Sequence, residues 1–133
     1  ILYGGEMSGH HYFRDFCWCD SGMLAWLTLW RLLGRSGKPL GALLAERIRR
    51  YPVSGEINRS VADVAAVLEK VERLHAPGAL SVTRTDGLSM DLGDWRFNLR
   101  ASNTEPLLRL NVESRGDPDL MAAKRDELLA LMV

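Results

Sequence analysis

The sequence predicts an α+β fold whose second half is a small domain with an antiparallel sheet covered by two helices. Three observations carry this prediction. Val61, Val64, Leu68, Val71 and Leu74 recur at three- and four-residue steps, the spacing of one helical face. From Leu80 the period changes to two: Leu80-Ser81-Val82-Thr83-Arg84 and Leu88-Ser89-Met90-Asp91-Leu92 alternate apolar with polar around Asp86-Gly87, a strong hairpin signal. Asp117-Pro118 then offers an N-cap and a first-turn proline to a closing helix that carries Leu120, Met121, Leu128, Leu131 and Met132.

Ile1 to Tyr3 is short, β-prone and stopped by Gly4-Gly5, which suits a strand running into a loop that continues through about Phe16. From Ser21, an N-cap type, Leu24, Trp26, Leu27, Trp30 and Leu32 make a strongly apolar helix, expected to stop at Gly34 and to be buried on more than one side. A second helix is expected from Pro39 to Arg50, with Leu40, Leu43, Leu44 and Ile48 inward and Glu46, Arg47, Arg49 and Arg50 outward. Pro52 ends it. Val53 to Arg59 carries few apolar residues after a proline, so it is expected to be an edge strand or a linker, and the domain boundary is placed there, between 1–50 and 51–133. The helix from Val61 to Leu74 ends before Ala76-Pro77-Gly78. Beyond the hairpin, a third strand is expected over Asp94 to Leu99, after a Gly93 turn, and a fourth over Leu107 to Val112. Such a sheet can leave one face to water while both helices cover the other.

Composition narrows the function classes. With 133 residues there is room for one modest domain, or for one complete small domain and a piece of another. A hydrophobic share of 47% and a charged share of 26% fit a folded protein with a real core. Lys plus Arg equals Asp plus Glu at 17 each, so no global basic field is available for nucleic acid or an anionic membrane, and any anion binding must be local. Cys17 and Cys19 form a C-x-C without the spacer of zinc or thioredoxin sites, which points to ordinary reduced thiols. The longest apolar stretch, Met23 to Leu33, is interrupted by Thr28 and Arg31 and is shorter than the ~20 residues that span a bilayer. Ile1-Leu2-Tyr3-Gly4-Gly5 begins without methionine or a leader pattern and resembles a cut inside a longer protein.

Two loops carry possible chemistry. In Gly4-Gly5-Glu6-Met7-Ser8-Gly9-His10-His11 a carboxylate, a hydroxyl and an imidazole sit between glycines directly after a strand. The set suits a polyol: Glu6 can accept from adjacent sugar hydroxyls, Ser8 can donate or accept, and His10 can move a proton near neutral pH. A Gly-rich turn capped by Glu6, with the histidine on the surface, accounts for the same residues. In Arg100-Ala101-Ser102-Asn103-Thr104-Glu105-Pro106 a guanidinium fork, two hydroxyls, an amide and several backbone N–H groups within a few residues can make a phosphate nest without helix or metal. A loop whose Ser102, Asn103 and Thr104 bond their own backbone reads the same way.

Together the two loops resemble a known pair. Gly5-Glu6-Met7-Ser8-Gly9-His10 is similar to the sugar-selecting loop of the α-D-phosphohexomutases, and Arg100 to Pro106 to their carboxy-terminal phosphate-binding loop, in the same order and at similar separation. The similarity continues through Asp20-Ser21-Gly22, Ser54-Gly55-Glu56-Ile57-Asn58, Arg84-Thr85-Asp86-Gly87 and Leu110-Asn111-Val112-Glu113-Ser114, and so covers essentially the whole chain. Met7 and Asn103 resemble the phosphomannomutase and phosphomannomutase/phosphoglucomutase branch more than the phosphoglucosamine mutases.

The resemblance implies that residues 1–50 are the tail of an α/β third domain and residues 51–133 a complete fourth domain of a four-domain cytoplasmic enzyme. It implies interconversion of mannose 6-phosphate and mannose 1-phosphate through a bisphosphorylated sugar, with a phosphoserine donor and Mg²⁺ on an aspartate-rich loop. Neither a Thr-Ala-Ser-His-Asn-type serine loop nor an Asp-Gly-Asp-type metal loop occurs here, so the chain holds no ligands for Mg²⁺, and catalysis by it alone is not expected. Carried over by position, Glu6 and Ser8 would bind hydroxyls that glucose and mannose share, His10 would assist proton transfer or contact the sugar, and Arg100, Ser102, Asn103 and Thr104 would hold the phosphate that is not transferred. The expected partners are a phosphorylated hexose and the missing upstream domains. A stand-alone phosphosugar-binding module, an inert folded fragment and a parent acting on glucose phosphates are the competing readings.

Gly34-Arg35-Ser36-Gly37-Lys38 lacks the spacer and the preceding strand of a nucleotide P-loop. His75 is expected at a helix C-terminus, where a partial positive charge is favourable. Trp18 and Trp95 are expected to pack in loop or core.

Overall fold

The computed structural model describes residues 1–6, 9–102 and 105–132. Two compact units follow one another, Ile1–Leu44 and Ala45–Val133.

In the first unit, strands β1 (Tyr3–Gly5) and β2 (His11–Phe13) form an antiparallel ribbon with Tyr3 opposite Phe13 and Gly5 opposite His11. A 3₁₀ turn (Arg14–Phe16) follows, and the chain reverses through Cys17 and Trp18, both in the left-handed region at φ 53° and 58°. Helix α1 (Gly22–Ser36) begins at Ser21, whose Oγ accepts from the Leu24 amide at 3.2 Å, and runs two residues past the expected stop, to a left-handed cap at Gly37. Gly34 remains inside it, and the ladder continues to the Gly37 amide, which donates to Leu33 O at 3.1 Å. Helix α2 (Leu40–Arg50) starts in this unit and ends in the next. The expected burial of α1 on more than one side is corrected: none of its residues is buried, and Trp26 and Trp30 are 53% and 65% exposed. Leu40, Leu44 and Ile48 of α2 are exposed as well. The physical reason is that the first unit offers one two-stranded ribbon, too small a layer to cover an all-round apolar helix.

The second unit is the α+β domain the periodicities predict. Strands β3 (Ile57–Ser60), β4 (Ser81–Thr83), β5 (Leu88–Asp91), β6 (Trp95–Ala101) and β7 (Leu107–Ser114) form a sheet in the order β3-β7-β6-β5-β4, antiparallel throughout. Helix α3 (Val64–His75) is capped by Asp63, whose carboxylate accepts from the Ala66 amide, and helix α4 (Pro118–Leu131) by Asp117, which accepts from Leu120. Period-two alternation sorts the sheet faces. Trp95, Phe97 and Leu99 of β6 and Leu108, Leu110 and Val112 of β7 are buried with Val71 of α3 and Leu128 of α4. Arg96, Asn98, Arg100, Arg109, Asn111 and Glu113 alternate with them on the opposite, polar face. Residues 53–59, expected as edge strand or linker, supply the edge strand β3.

His75 does end α3, but its environment corrects the expected charge. The ring is buried with its edge against Trp95 and Phe97, and burial lowers its pKa despite Glu127 Oε1 at 3.8 Å from Nε2, so the neutral form is favoured. Trp95 packs in the core, whereas Trp18 is exposed on its loop.

One turn fixes the sheet's geometry. Gly87 has φ +73°, and a Cβ there would lie 2.5 Å from Arg100 Cβ and 2.6 Å from both Arg100 Cα and Leu99 O. Gly87→Ala is therefore expected to cost at least about 2 kcal/mol, from left-handed strain plus displaced backbone. Leu110→Ala, which empties a fully buried site, should cost about 2–5 kcal/mol. Urea midpoints of both variants check these values, and an unchanged midpoint for Gly87→Ala would refute the close approach.

Candidate functional site

The sequence points to two loops, one in each unit, and each is built by its own local structure.

The first lies between β1 and β2. The Glu6 amide donates to His10 O at 3.0 Å and the Gly9 amide to Glu6 O at 3.0 Å, so His10 lies beside Glu6. Tyr12 Oη donates to Glu6 Oε1 at 2.8 Å, and this hydrogen bond raises the tyrosine pKa. His10 Nδ1 lies 2.6 Å from Asp20 Oδ2, while Asp20 Oδ1 accepts from the His11 amide at 2.8 Å. Asp20 reaches this place because the left-handed turn at Cys17 and Trp18 sends the chain back along β2, where Asp20 bridges Tyr12 and the Ser21 amide donates to His11 O. The His10–Asp20 bond raises the imidazole pKa and lowers that of the carboxylate. With Nδ1–H committed to Asp20, neutral His10 keeps its basic lone pair on Nε2, the arrangement that suits proton transfer. Met7 and Ser8 lie outside the described residues.

The second loop joins β6 to β7. The Ser102 amide donates to Leu107 O at 2.9 Å and the Leu107 amide to Glu105 O at 2.8 Å, closing the turn just past Ala101 opposite Leu108. Arg100 stands at its base on the polar face of the sheet, opposite Arg109, with Nη1 3.1 Å from Asp86 Oδ2 and Nη2 3.4 Å from Glu56 Oε2. Glu56 Oε1 also lies 3.6 Å from Arg109 Nη1. Asn103 and Thr104 lie outside the described residues. Arg100 and Ser102 thus share one loop, and Glu6 and His10 share the other. Asp20, Tyr12, Glu56, Asp86 and Arg109 are neighbours that the residue patterns did not single out as site residues. Asp20, Glu56 and Asp86 fall within the quoted resemblance segments, which was the signal available for them.

Residues 1–51 match the family description "Phosphoglucomutase/phosphomannomutase, alpha/beta/alpha domain III", and residues 56–131 match "Phosphoglucomutase/phosphomannomutase, C-terminal domain". The chain belongs to the phosphoglucomutase/phosphomannomutase family. Among curated relatives, a phosphomannomutase of Salmonella montevideo is 56% identical over 131 residues and one of Escherichia coli K12 is 54% identical, each over 98% of this chain. A protein of Xanthomonas campestris named for phosphohexose mutases is 49% identical over the same share. The chain spans 29% of the length of each of these relatives. A solved structure of a phosphoglucomutase/phosphomannomutase family protein from Burkholderia thailandensis shares the fold, with a TM-score of 0.70 at 24% identity, over 98% of this chain and 28% of that one.

Two further features of this family member bear on chemistry. Among the described residues, no group of three or more His, Cys, Asp or Glu side chains is placed to hold a metal ion. A cavity of about 350 Å³ lies at the far end of β6 and β7 from the Arg100 loop, lined by Arg47, Tyr51, Trp95, Arg96, Glu113 and Arg115 among others. Its cations are engaged, Arg96 with Glu113, Arg115 with Asp91 and Arg47 over the Tyr51 ring, so the chemistry points to the loops instead. Cys17 and Cys19 are free and exposed, and no helix among the described residues is long and apolar enough to cross a membrane.

The sign of the His10 shift gives a pH expectation. A raised pKa keeps His10 protonated to higher pH than an ordinary imidazole, and its function as a base begins only above that value. NMR titration should place the His10 transition above the usual ~6.5 and return it there in Asp20→Asn. An unmoved transition in the variant would remove Asp20 as its cause.

Proposed function

We propose that this chain supplies sugar and phosphate recognition to a phosphohexose mutase that interconverts mannose 6-phosphate and mannose 1-phosphate. In this proposal residues 1–50 are the tail of the third domain and residues 51–133 the fourth. Glu6 and Ser8 bind sugar hydroxyls, His10, oriented by Asp20, handles a proton there, and Arg100, Ser102, Asn103 and Thr104 hold the phosphate that is not transferred. The observation that carries the reading is Arg100 near the end of β6, beside the β6–β7 connection with its fork on the polar face of the sheet, in a chain whose two halves match consecutive domains of this family. The names of the relatives favour mannose over glucose phosphates. The phosphoryl donor and the Mg²⁺ site are assigned to other parts of the parent enzyme, which is placed in the cytoplasm. The exposed apolar surface of α1 is consistent with a longer protein that lays a further layer against it.

Calorimetric titration of the chain with mannose 1-phosphate, glucose 1-phosphate and inorganic phosphate, beside a coupled mutase assay with Mg²⁺, tests the proposal. Binding without turnover is expected. Turnover would overturn the assignment of the phosphoryl chemistry to other parts, and absence of all binding would overturn the recognition role. Arg100→Ala should weaken phosphosugar binding by about 1.5–3 kcal/mol. Glu6→Gln should weaken the sugar phosphate while sparing inorganic phosphate, and equal loss of both would contradict the division between the loops.

A further inference from the structure

We propose that Glu56 and Asp86 are built-in counter-anions of the phosphate loop, which hold the Arg100 fork and limit how tightly it grips a phosphate, and that Arg109 is the positioning residue that draws Glu56 away. The inference rests on Arg100 being a phosphate ligand, as proposed above.

The register sets Arg100 directly opposite Arg109 on the polar face of the sheet. Like charges in that relation repel, and a carboxylate between them offsets the repulsion. Glu56 takes that place, with Oε2 3.4 Å from Arg100 Nη2 and Oε1 3.6 Å from Arg109 Nη1. The other terminal nitrogen of Arg100 faces Asp86 Oδ2 at 3.1 Å. Both ends of the fork therefore meet carboxylates, and the four side chains carry no net charge. The backbone delivers each acid. Ser54 is pinned to β7, its amide donating to Val112 O and its Oγ accepting from the Val112 amide, both at 2.9 Å, and the left-handed Gly55 at φ +69° then turns Glu56 toward the arginines. Asp86 is held by the turn whose Gly87 lies against the Arg100 backbone, and its carbonyl accepts from Asn98 Nδ2 at 2.8 Å.

A phosphate dianion approaching Arg100 meets two negative charges already on the fork and must displace one or both. Its affinity is then the difference between arginine–phosphate and arginine–carboxylate contacts, not the whole of the former. Arg109 gives a displaced Glu56 somewhere to go: its Nε is buried without a hydrogen-bond partner among the described residues, a donor in reserve for that carboxylate. Losing Arg109 would leave Glu56 to Arg100 alone.

The test is calorimetric titration of inorganic phosphate into the chain and its Glu56→Gln, Asp86→Asn, Arg109→Met and Glu56→Gln/Arg109→Met variants, each checked for folding by circular dichroism. Removing either carboxylate should tighten phosphate binding about three- to tenfold, the size of one unit charge a few ångströms away in hydrated surroundings. Arg109→Met should weaken it, and the double variant should match Glu56→Gln, because Arg109 acts through the glutamate. A purely structural role would weaken every variant alike. Binding by the wild-type chain with no tightening in Glu56→Gln or Asp86→Asn overturns this inference alone. A double variant that stays as weak as Arg109→Met overturns the positioning role. Silence from the wild-type chain and all variants overturns it together with the phosphate reading.

Discussion

The β6–β7 ladder is the constraint on which the second unit depends. Trp95 through Ala101 pairs with Ser114 through Leu108, and every other strand attaches to one side or the other of this pair. Because side chains alternate across a strand, one register decision buries Trp95, Phe97, Leu99, Leu108, Leu110 and Val112 together and, by the same step, aligns Arg96, Asn98 and Arg100 with Glu113, Asn111 and Arg109 on the other face. A slip by one residue would send the arginines into the core. The charged platform beneath the Arg100 loop is therefore held in place by hydrophobic burial on its far side.

The second unit was legible because its patterns are local. The 3.6-residue recurrence in α3, the alternation in β5 to β7, the Asp86-Gly87 turn and the Asp117-Pro118 cap each state a structure within a few residues, and each element appears, with shifts of at most three residues at its ends. The first unit was less so. The apolar residues of α1 and α2 predicted inward faces, yet whether such a face is buried depends on what else the fold provides. α1 runs past Gly34 because its local ladder continues to the Gly37 amide on Leu33 O, and the short strand β2, within a stretch expected to be loop, depends on pairing with β1. At the candidate site, individual loop residues could be named from composition, whereas their partners could not. Asp20 is ten residues from His10, and Glu56 is 44 residues from Arg100, so no spacing rule joins them.

The two loops differ in how they manage charge. Around Glu6 and His10 the polar groups are exposed and paired by hydrogen bonds that shift proton affinities, with Tyr12 and Asp20 as partners. Around Arg100 the groups are partly enclosed, with side chains of Arg100 and Glu56 25% and 29% exposed, and they balance by opposite sign. The first arrangement suits hydroxyl groups and protons. The second suits an anion that must exchange with charges already present.

The contact of His75 with Trp95 also makes the core optically readable. Trp95 is the one tryptophan of four that is buried, since Trp18, Trp26 and Trp30 all stand in solvent. Its indole abuts an imidazole that the fold favours in the neutral form, and a protonated imidazole quenches indole emission. The short-wavelength part of the chain's fluorescence thus belongs to a single side chain of β6 packed against His75, and dimming of that band on acidification would report the core taking up a proton separately from any change at the surface.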